Sequence, residues 1–356
     1  MTVESGTTES GTAESGTAET AAAETGAEQA AGQRREIAAD LAAVAVLLEI
    51  GDELGVSHLL DSAAPFTIHE LAAAADTPPS AAAGYVEALL AAGLVAPTST
   101  PSEFQPSSDL ADRRYEAGYL SWALTANRPF VGHAREFLSH PADAARRYQR
   151  DGRLVAVSSG WIGTQGFYPD AVTAICQGAP ARVVDLGAGA GGLLIRLLRS
   201  DRALRAVALD ISAAACAEAE RAAERAGVAD RLRVMNRSIQ SLATDPGPVQ
   251  GADVIHAGFI LHDIISEPDV LDAVLLSCRR SVAPGGRLVV TEAIAYSPDP
   301  PERCFSALFS YLHAGFMNVS LPSEKEWLDA FRCAGFPTVT CTRHRFPGGR
   351  LFVAAT

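Results

Sequence analysis

Residues 182–192 read RVVDLGAGAGG. Val183, Val184 and Leu186 form a short apolar run suited to a buried strand, and glycines follow at 187, 189, 191 and 192. Glycine lets a turn tighten and lets a ligand approach the backbone closely. The next residues, Gly191 to Ser200, carry leucines at helical spacing. A strand, a glycine turn and a helix in that order open a doubly wound α/β sheet. The pattern continues outward, with strands expected at Ala206–Asp210, Leu232–Met235, Ala252–His256 and Gly286–Glu292, and a closing strand at Arg350–Ala355. Helices are expected at Ala213–Ala226, Asp269–Ser281 and Trp327–Ala334. Such alternation predicts a Rossmann-like domain over residues 171–356.

The acid at the head of the glycine turn narrows the ligand. Nicotinamide and flavin enzymes use related turns, but Asp185 would crowd a dinucleotide pyrophosphate. It suits the ammonium-bearing amino-acid part of S-adenosylmethionine. The second strand ends in Asp210, 19 residues beyond Gly191, where a carboxylate can accept both ribose hydroxyls of an adenosine. Asp185-x-Gly-x-Gly-x-Gly191 resembles motif I of the class I methyltransferases. The resemblance implies S-adenosylmethionine as cofactor, bound by Asp185, Gly187, Gly189, Gly191, Asp210 and Ile211. It places the adenine near Ser238 and Ile239, although many relatives have Asp at the Ser238 position.

Residues 1–34 are a near-repeat of Glu, Ser, Gly, Thr and Ala with little to bury, and read as a disordered tail. Residues 35–110 read as a helical winged-helix domain. Ile37 to Leu54 is an apolar helix ending at Gly55. Thr67-Ile-His-Glu70 is a capping box opening Ile68–Ala74. A helix follows Pro78-Pro79, and then a polar hairpin after Leu94. The helix Ser80–Ala92 has no Arg or Lys, so it lacks what a DNA-recognition helix needs. The formal charge of −13, with Lys325 the only lysine, also repels phosphate backbones. Homodimerisation is the expected role, and no nucleic-acid partner is expected. Residues 111–170 carry aromatics among arginines and read as a helical connector that covers an active site. Six scattered cysteines without a C-x-x-C pair argue for reduced thiols. No apolar run reaches membrane-spanning length and no basic-apolar leader starts the chain, so a cytoplasmic protein is expected.

Residues 35–356 further resemble the winged-helix-dimerised small-molecule O-methyltransferases. Their His-Asp pair after strand four corresponds to Leu261-His262-Asp263, with Ile264 where Trp is usual. The resemblance implies that His262 deprotonates a phenol, with Asp263 its neighbour. A narrower resemblance is to the 2-oxo-acid β-carbon methyltransferases of nonribosomal-peptide pathways. It rests on Tyr148-Gln149-Arg150-Asp151, on His262-Asp263, and on Phe309-Ser-Tyr-Leu-His313 followed by Leu321-Pro322. Here Ala314 replaces an acid, and one extra residue precedes Leu321. This resemblance implies a divalent metal, iron or zinc, on His262 and His313, and a substrate carboxylate on Arg150. The substrate would be 4-methyl-2-oxopentanoate or phenylpyruvate, in antibiotic biosynthesis.

The residues add their own arguments. His262 and His313 both follow the carboxyl ends of strands, where ligands gather in such sheets. Phe305, Leu308, Leu312 and Phe316 form a stripe beside His313, which should point it inward. Leu261, Ile264, Ile265, Leu312 and Phe316 are expected to line an aliphatic acceptor pocket. His256 is a rival ligand expected to pack in the sheet. His58, His69, His133, His140 and His344 read as surface or packing residues. Three readings stay open: metal-assisted C-methylation, O-methylation with His262 as base, and a non-methylating protein on the same scaffold.

Overall fold

The computed structural model describes residues 35–62 and 64–356. The tail expected at 1–34 lies outside the described residues. The chain divides after Leu120 into two compact units. The connector expected at 111–170 is therefore split, its first helix falling in the first unit.

The first unit opens with α1 (residues 35–53) and α2 (Ser57–Asp61), then β1 (Phe66–Thr67) and α3 (Ile68–Ala74). The capping box is formed: the Thr67 hydroxyl accepts from Glu70 N–H while the Glu70 carboxylate accepts from Thr67 N–H. Next come α4 (Pro79–Ala91), the hairpin β2 (Val95–Pro97) and β3 (Glu103–Pro106), and α5 (Leu110–Leu120). The strands lie in the order β1-β3-β2. Helices carrying a small three-stranded wing make up a winged helix. Leu48, Val56, Phe66, Leu71, Val86, Leu89 and Leu94 are buried in it. Ile37, Val46 and Ile50 on α1 are exposed.

The second unit begins with a π-helical turn (Ser121–Ala126) and short helices α6 (Arg128–Gly132), α7 (Ala134–Ser139) and α8 (Pro141–Arg147). Then come α9 (Gly152–Gly166) and α10 (Tyr168–Cys176). The sheet is built from β4 (Arg182–Leu186), β5 (Arg205–Asp210), β6 (Leu232–Asn236), β7 (Ala252–Gly258), β8 (Val282–Ala293), β9 (Thr338–Arg343) and β10 (Gly349–Ala355). Its order is β6-β5-β4-β7-β8-β10-β9, with β10 antiparallel to both its neighbours and the rest of the ladder parallel. The intervening helices are α11 (Gly192–Ser200), α12 (Ala213–Arg225), α13 (Pro268–Ser281), α14 (Pro300–Phe316) and α15 (Glu324–Cys333).

Both faces of the sheet are covered, as its apolar strands require. One core holds Val184, Ile255, Val290, Trp327 and Phe352. The other holds Val183, Val254, Val289, Leu194 and Leu351. The strand order reverses beside β4, so a crevice opens beyond the carboxyl ends of β4 and β7. The α/β fold read from the sequence is the fold found. The edge strand β9 is an addition, because its mostly exposed residues give no apolar run.

Candidate active site

The glycine turn leads directly from β4 into α11. Gly187, Gly189 and Gly191 all have left-handed backbones. At Gly187 a side chain is excluded twice, since its φ is +69° and a Cβ there would meet Ile260 Cγ1 at 2.7 Å. Asp210, at the end of β5, accepts from Gly189 N–H at 2.8 Å and from Ser212 N–H at 2.8 Å. It thereby ties the turn to the second strand.

A cavity of about 720 Å³ opens at this turn. Asp185, Gly187 and Gly189 line its polar end. Gly191, Asp210, Ile211, Ser238 and Ile239 are not among its lining residues. Ile211 is exposed, and Ile239 is buried in the core.

The far wall brings together four residues expected from the sequence: Arg150, His262, Asp263 and His313. Asp151 caps α9 by accepting from the N–H groups of Arg153 and Leu154, which anchors Arg150 just before the helix. A one-turn 3-10 segment, Leu261–Ile264, carries His262. His313 sits on the buried face of α14 with Phe309 and Phe316, whereas Leu308 of the expected stripe is partly exposed. The two imidazole rings meet edge to face with centroids 5.2 Å apart.

His262 has a partner that the sequence reading did not find. Its Nδ1 lies 2.7 Å from Glu292 Oε2, while Glu292 Oε1 accepts from the N–H groups of Leu261 and His262 at 2.8 and 3.2 Å. Glu292 is fully buried at the end of β8. A carboxylate only accepts, so Nδ1 carries the hydrogen and Nε2 keeps its lone pair in the neutral ring. Burial pushes the His262 pKa down. The charge and hydrogen bond of Glu292 outweigh it and hold the ring above its ordinary value. Asp263 stands on the other side, its Oδ1 3.6 Å from Nε2 and its side chain 60% exposed. The signal available in the sequence was an acid closing a buried strand, Thr291-Glu292, beside the strand that precedes His262.

His313 is fixed by a bond from its Nδ1 to the Phe309 carbonyl at 2.7 Å. Burial, and then the charge of His262, push its pKa down to about 3, so at ordinary pH it is a neutral ring. Its Nε2 lone pair is therefore also available. Arg150 lies over the Phe130 ring at 5.5 Å and makes no hydrogen bond among the described residues. Burial lowers its pKa, which the charge of Asp263 partly restores.

The acceptor space differs from the expectation. Trp122, Phe167, Phe259, Phe309 and Phe346 line the cavity, with Trp122 stacked on Phe309 at 5.1 Å. Leu261 and Ile264 point into the sheet core instead, and Ile265 packs against it. The single 3-10 turn that aims His262 at the cavity aims its apolar neighbours away. Neither Leu312 nor Phe316 lines the space. Two buried histidines among those set aside pair with carboxylates. His256 pairs with Asp185 at 2.6 Å, and buried His344 pairs with Asp170 at 3.0 Å.

The two imidazoles suit a metal in their chemistry, since both Nδ1 atoms are engaged and both Nε2 atoms are left for a ligand. Substrate or water would have to complete the coordination. Among the described residues no group of three or more His, Cys, Asp or Glu side chains is placed to hold an ion.

Residues 184–288 match a family model described as a methyltransferase domain. The aclacinomycin 10-hydroxylase RdmB of Streptomyces purpurascens is 32% identical over 160 residues, 44% of this chain and 40% of its own length. The phenazine O-methyltransferase PhzM of Lysobacter antibioticus is 31% identical over 150 residues, 42% of this chain and 40% of its own. In these matches the chain spans about two fifths of each relative's length. Human N-acetylserotonin methyltransferase, solved in complex with S-adenosylmethionine, shares the fold with a TM-score of 0.54. That likeness runs over 92% of this chain and 97% of the human one, at 17% identity. Among the described residues no helix is long and apolar enough to cross a membrane.

Proposed function

We propose that the protein transfers a methyl group from S-adenosylmethionine to an oxygen of a flat aromatic small molecule, with His262 as general base. The observation that carries this reading is the His262–Glu292 pair, which opens on the same cavity as the glycine turn. The acceptor's O–H gives its proton to His262 Nε2. The resulting oxyanion attacks the sulfonium methyl carbon, the carbon–sulfur bond breaks, and S-adenosylhomocysteine leaves. Glu292 holds the imidazole in the required tautomer and stabilises the imidazolium that forms. The stacked Trp122 and Phe309 suit a planar ring. The match to a phenazine O-methyltransferase supports the same chemistry. The exposed apolar residues of α1 belong to this proposal as the contact of a homodimer.

A second reading is favoured by a specific observation: His313 and Arg150 share the wall with His262, and O-methylation has no use for either. In that reading His262 and His313 hold a divalent iron or zinc ion, and Arg150 takes the carboxylate of a 2-oxo acid. The ion would supply Lewis-acid stabilisation of the enolate formed when the β-carbon loses a proton. The aromatic wall would then suit an aryl 2-oxo acid better than a branched aliphatic one. An assay with labelled cofactor against a panel of phenols and 2-oxo acids, with and without chelator, separates the two. Label transfer to no acceptor would leave the scaffold reading, in keeping with a relative named as a hydroxylase.

A further inference from the structure

The polar end of the cavity holds a second histidine–carboxylate pair, whose histidine the proposed methyl transfer does not use. The register of β4 and β7 sets Asp185 beside His256. His256 Nδ1 lies 2.6 Å from Asp185 Oδ1, and each side chain is only 5% exposed. Both residues line the cavity. A carboxylate only accepts, so Nδ1 carries the hydrogen and donates it. The bond fixes one Asp185 oxygen and the plane of the carboxylate.

The surroundings of this pair lack a counter-charge. Tyr168 approaches from α10, and burial followed by the charge of Asp185 pushes its phenol up to about 12, so it stays neutral. Among the described residues no arginine or lysine pairs with Asp185. Two further lining atoms are buried and without partners: His256 Nε2 and Thr291 Oγ1. The register of β7 and β8 places Thr291 opposite Gly258, two residues beyond His256. Buried polar atoms without partners mark a place where a polar ligand or its water sits. A buried carboxylate that no arginine or lysine reaches among the described residues, and that opens to a cavity, suits a cationic ligand group.

We propose that His256 is a positioning residue for the amino-acid end of the cofactor. It holds Asp185 so that the free carboxylate face meets the α-ammonium group. This inference rests on the S-adenosylmethionine reading.

The test uses calorimetric titration of the full chain with two ligands. S-adenosylhomocysteine carries the amino acid, whereas 5′-methylthioadenosine has the same nucleoside and thioether without it. His256→Ala should weaken S-adenosylhomocysteine by about ten- to a hundredfold, the range for a lost hydrogen bond to a charged group. Binding of 5′-methylthioadenosine should not change. His256→Asn keeps a donor near the Nδ1 position and should recover most of the loss. Equal losses for both ligands would show general damage to packing and overturn the proposal. No loss for either, while the wild type binds both, would overturn it alone. A wild-type chain that binds neither ligand would sink the cofactor reading and the inference with it.

Discussion

Replacing Glu292 by Gln tests the base directly, because the geometry leaves the amide no good option. Glu292 receives three N–H groups: two from the backbone of Leu261 and His262 on Oε1, and one from the imidazole on Oε2. A glutamine has one oxygen and one NH₂. If the oxygen serves His262 Nδ1, the NH₂ faces two buried backbone donors. Leaving those unpaired costs about 1–3 kcal/mol each. If the oxygen serves the backbone, the NH₂ faces Nδ1 and only one bond is at stake. That bond is recovered when the ring moves its proton to Nε2. The second arrangement is therefore favoured by about 2–6 kcal/mol, the penalty of two unpaired backbone donors. It presents an N–H to the acceptor where a lone pair is needed. A wrong tautomer of this kind costs up to about 10⁴-fold in kcat, and loss of a general base about 10²–10⁴-fold. We expect Glu292→Gln to lose about 10²–10⁴-fold in kcat while cofactor affinity and melting temperature stay near wild type. Steady-state methyl transfer with mass detection, beside calorimetry and thermal melts, reads all three. A variant that folds, binds cofactor and keeps most of the wild-type rate would refute the role given to the pair.

Three further outcomes follow from the same structure. The kcat/KM profile should rise with pH through an apparent pKa above 6.5, because Glu292 raises His262 and the protonated ring has no lone pair to offer; an inflection at or below 6.5 would contradict this. Asp210→Ala should weaken S-adenosylmethionine binding by roughly 1–3 kcal/mol in calorimetry, through loss of the ribose acceptor and of the bond from Gly189 N–H; unchanged affinity would count against the assignment. Gly187→Ala should abolish cofactor binding, since a Cβ meets Ile260 in a backbone that L side chains rarely adopt; a variant that titrates normally would show that the turn is not the binding element.

The sheet was legible because its strands are apolar runs closed by charged or glycine residues. The turn at Gly187–Gly191 fixes where the first helix must start. The winged unit was legible through caps: the Thr67–Glu70 box and the left-handed Gly55 and Gly93 stand where the helices end or begin. What escaped were contacts between residues far apart in the chain. Glu292 lies 30 residues beyond His262, and only the pairing of β7 with β8 brings them together. His256 and Asp185, 71 residues apart, meet through the pairing of β4 with β7. His344, which read as a surface or packing residue, is buried, and its partner Asp170 lies 174 residues away. The acceptor lining failed for a local reason. The direction of a single 3-10 turn decides whether Leu261 or His262 faces the cavity, and composition carries no signal for that.

In the proposed mechanism His262 works as a base without a metal. Methyl transfer to a phenolic acceptor, measured in chelator-treated buffer for the wild type, His262→Ala and His313→Ala, tests it most directly. The account predicts that the wild type stays active, that His262→Ala loses about 10²–10⁴-fold, and that His313→Ala retains much of its turnover. It would be contradicted if chelation silenced the wild type, an iron or zinc salt revived it on 2-oxo acids, and His313→Ala were as inactive as His262→Ala.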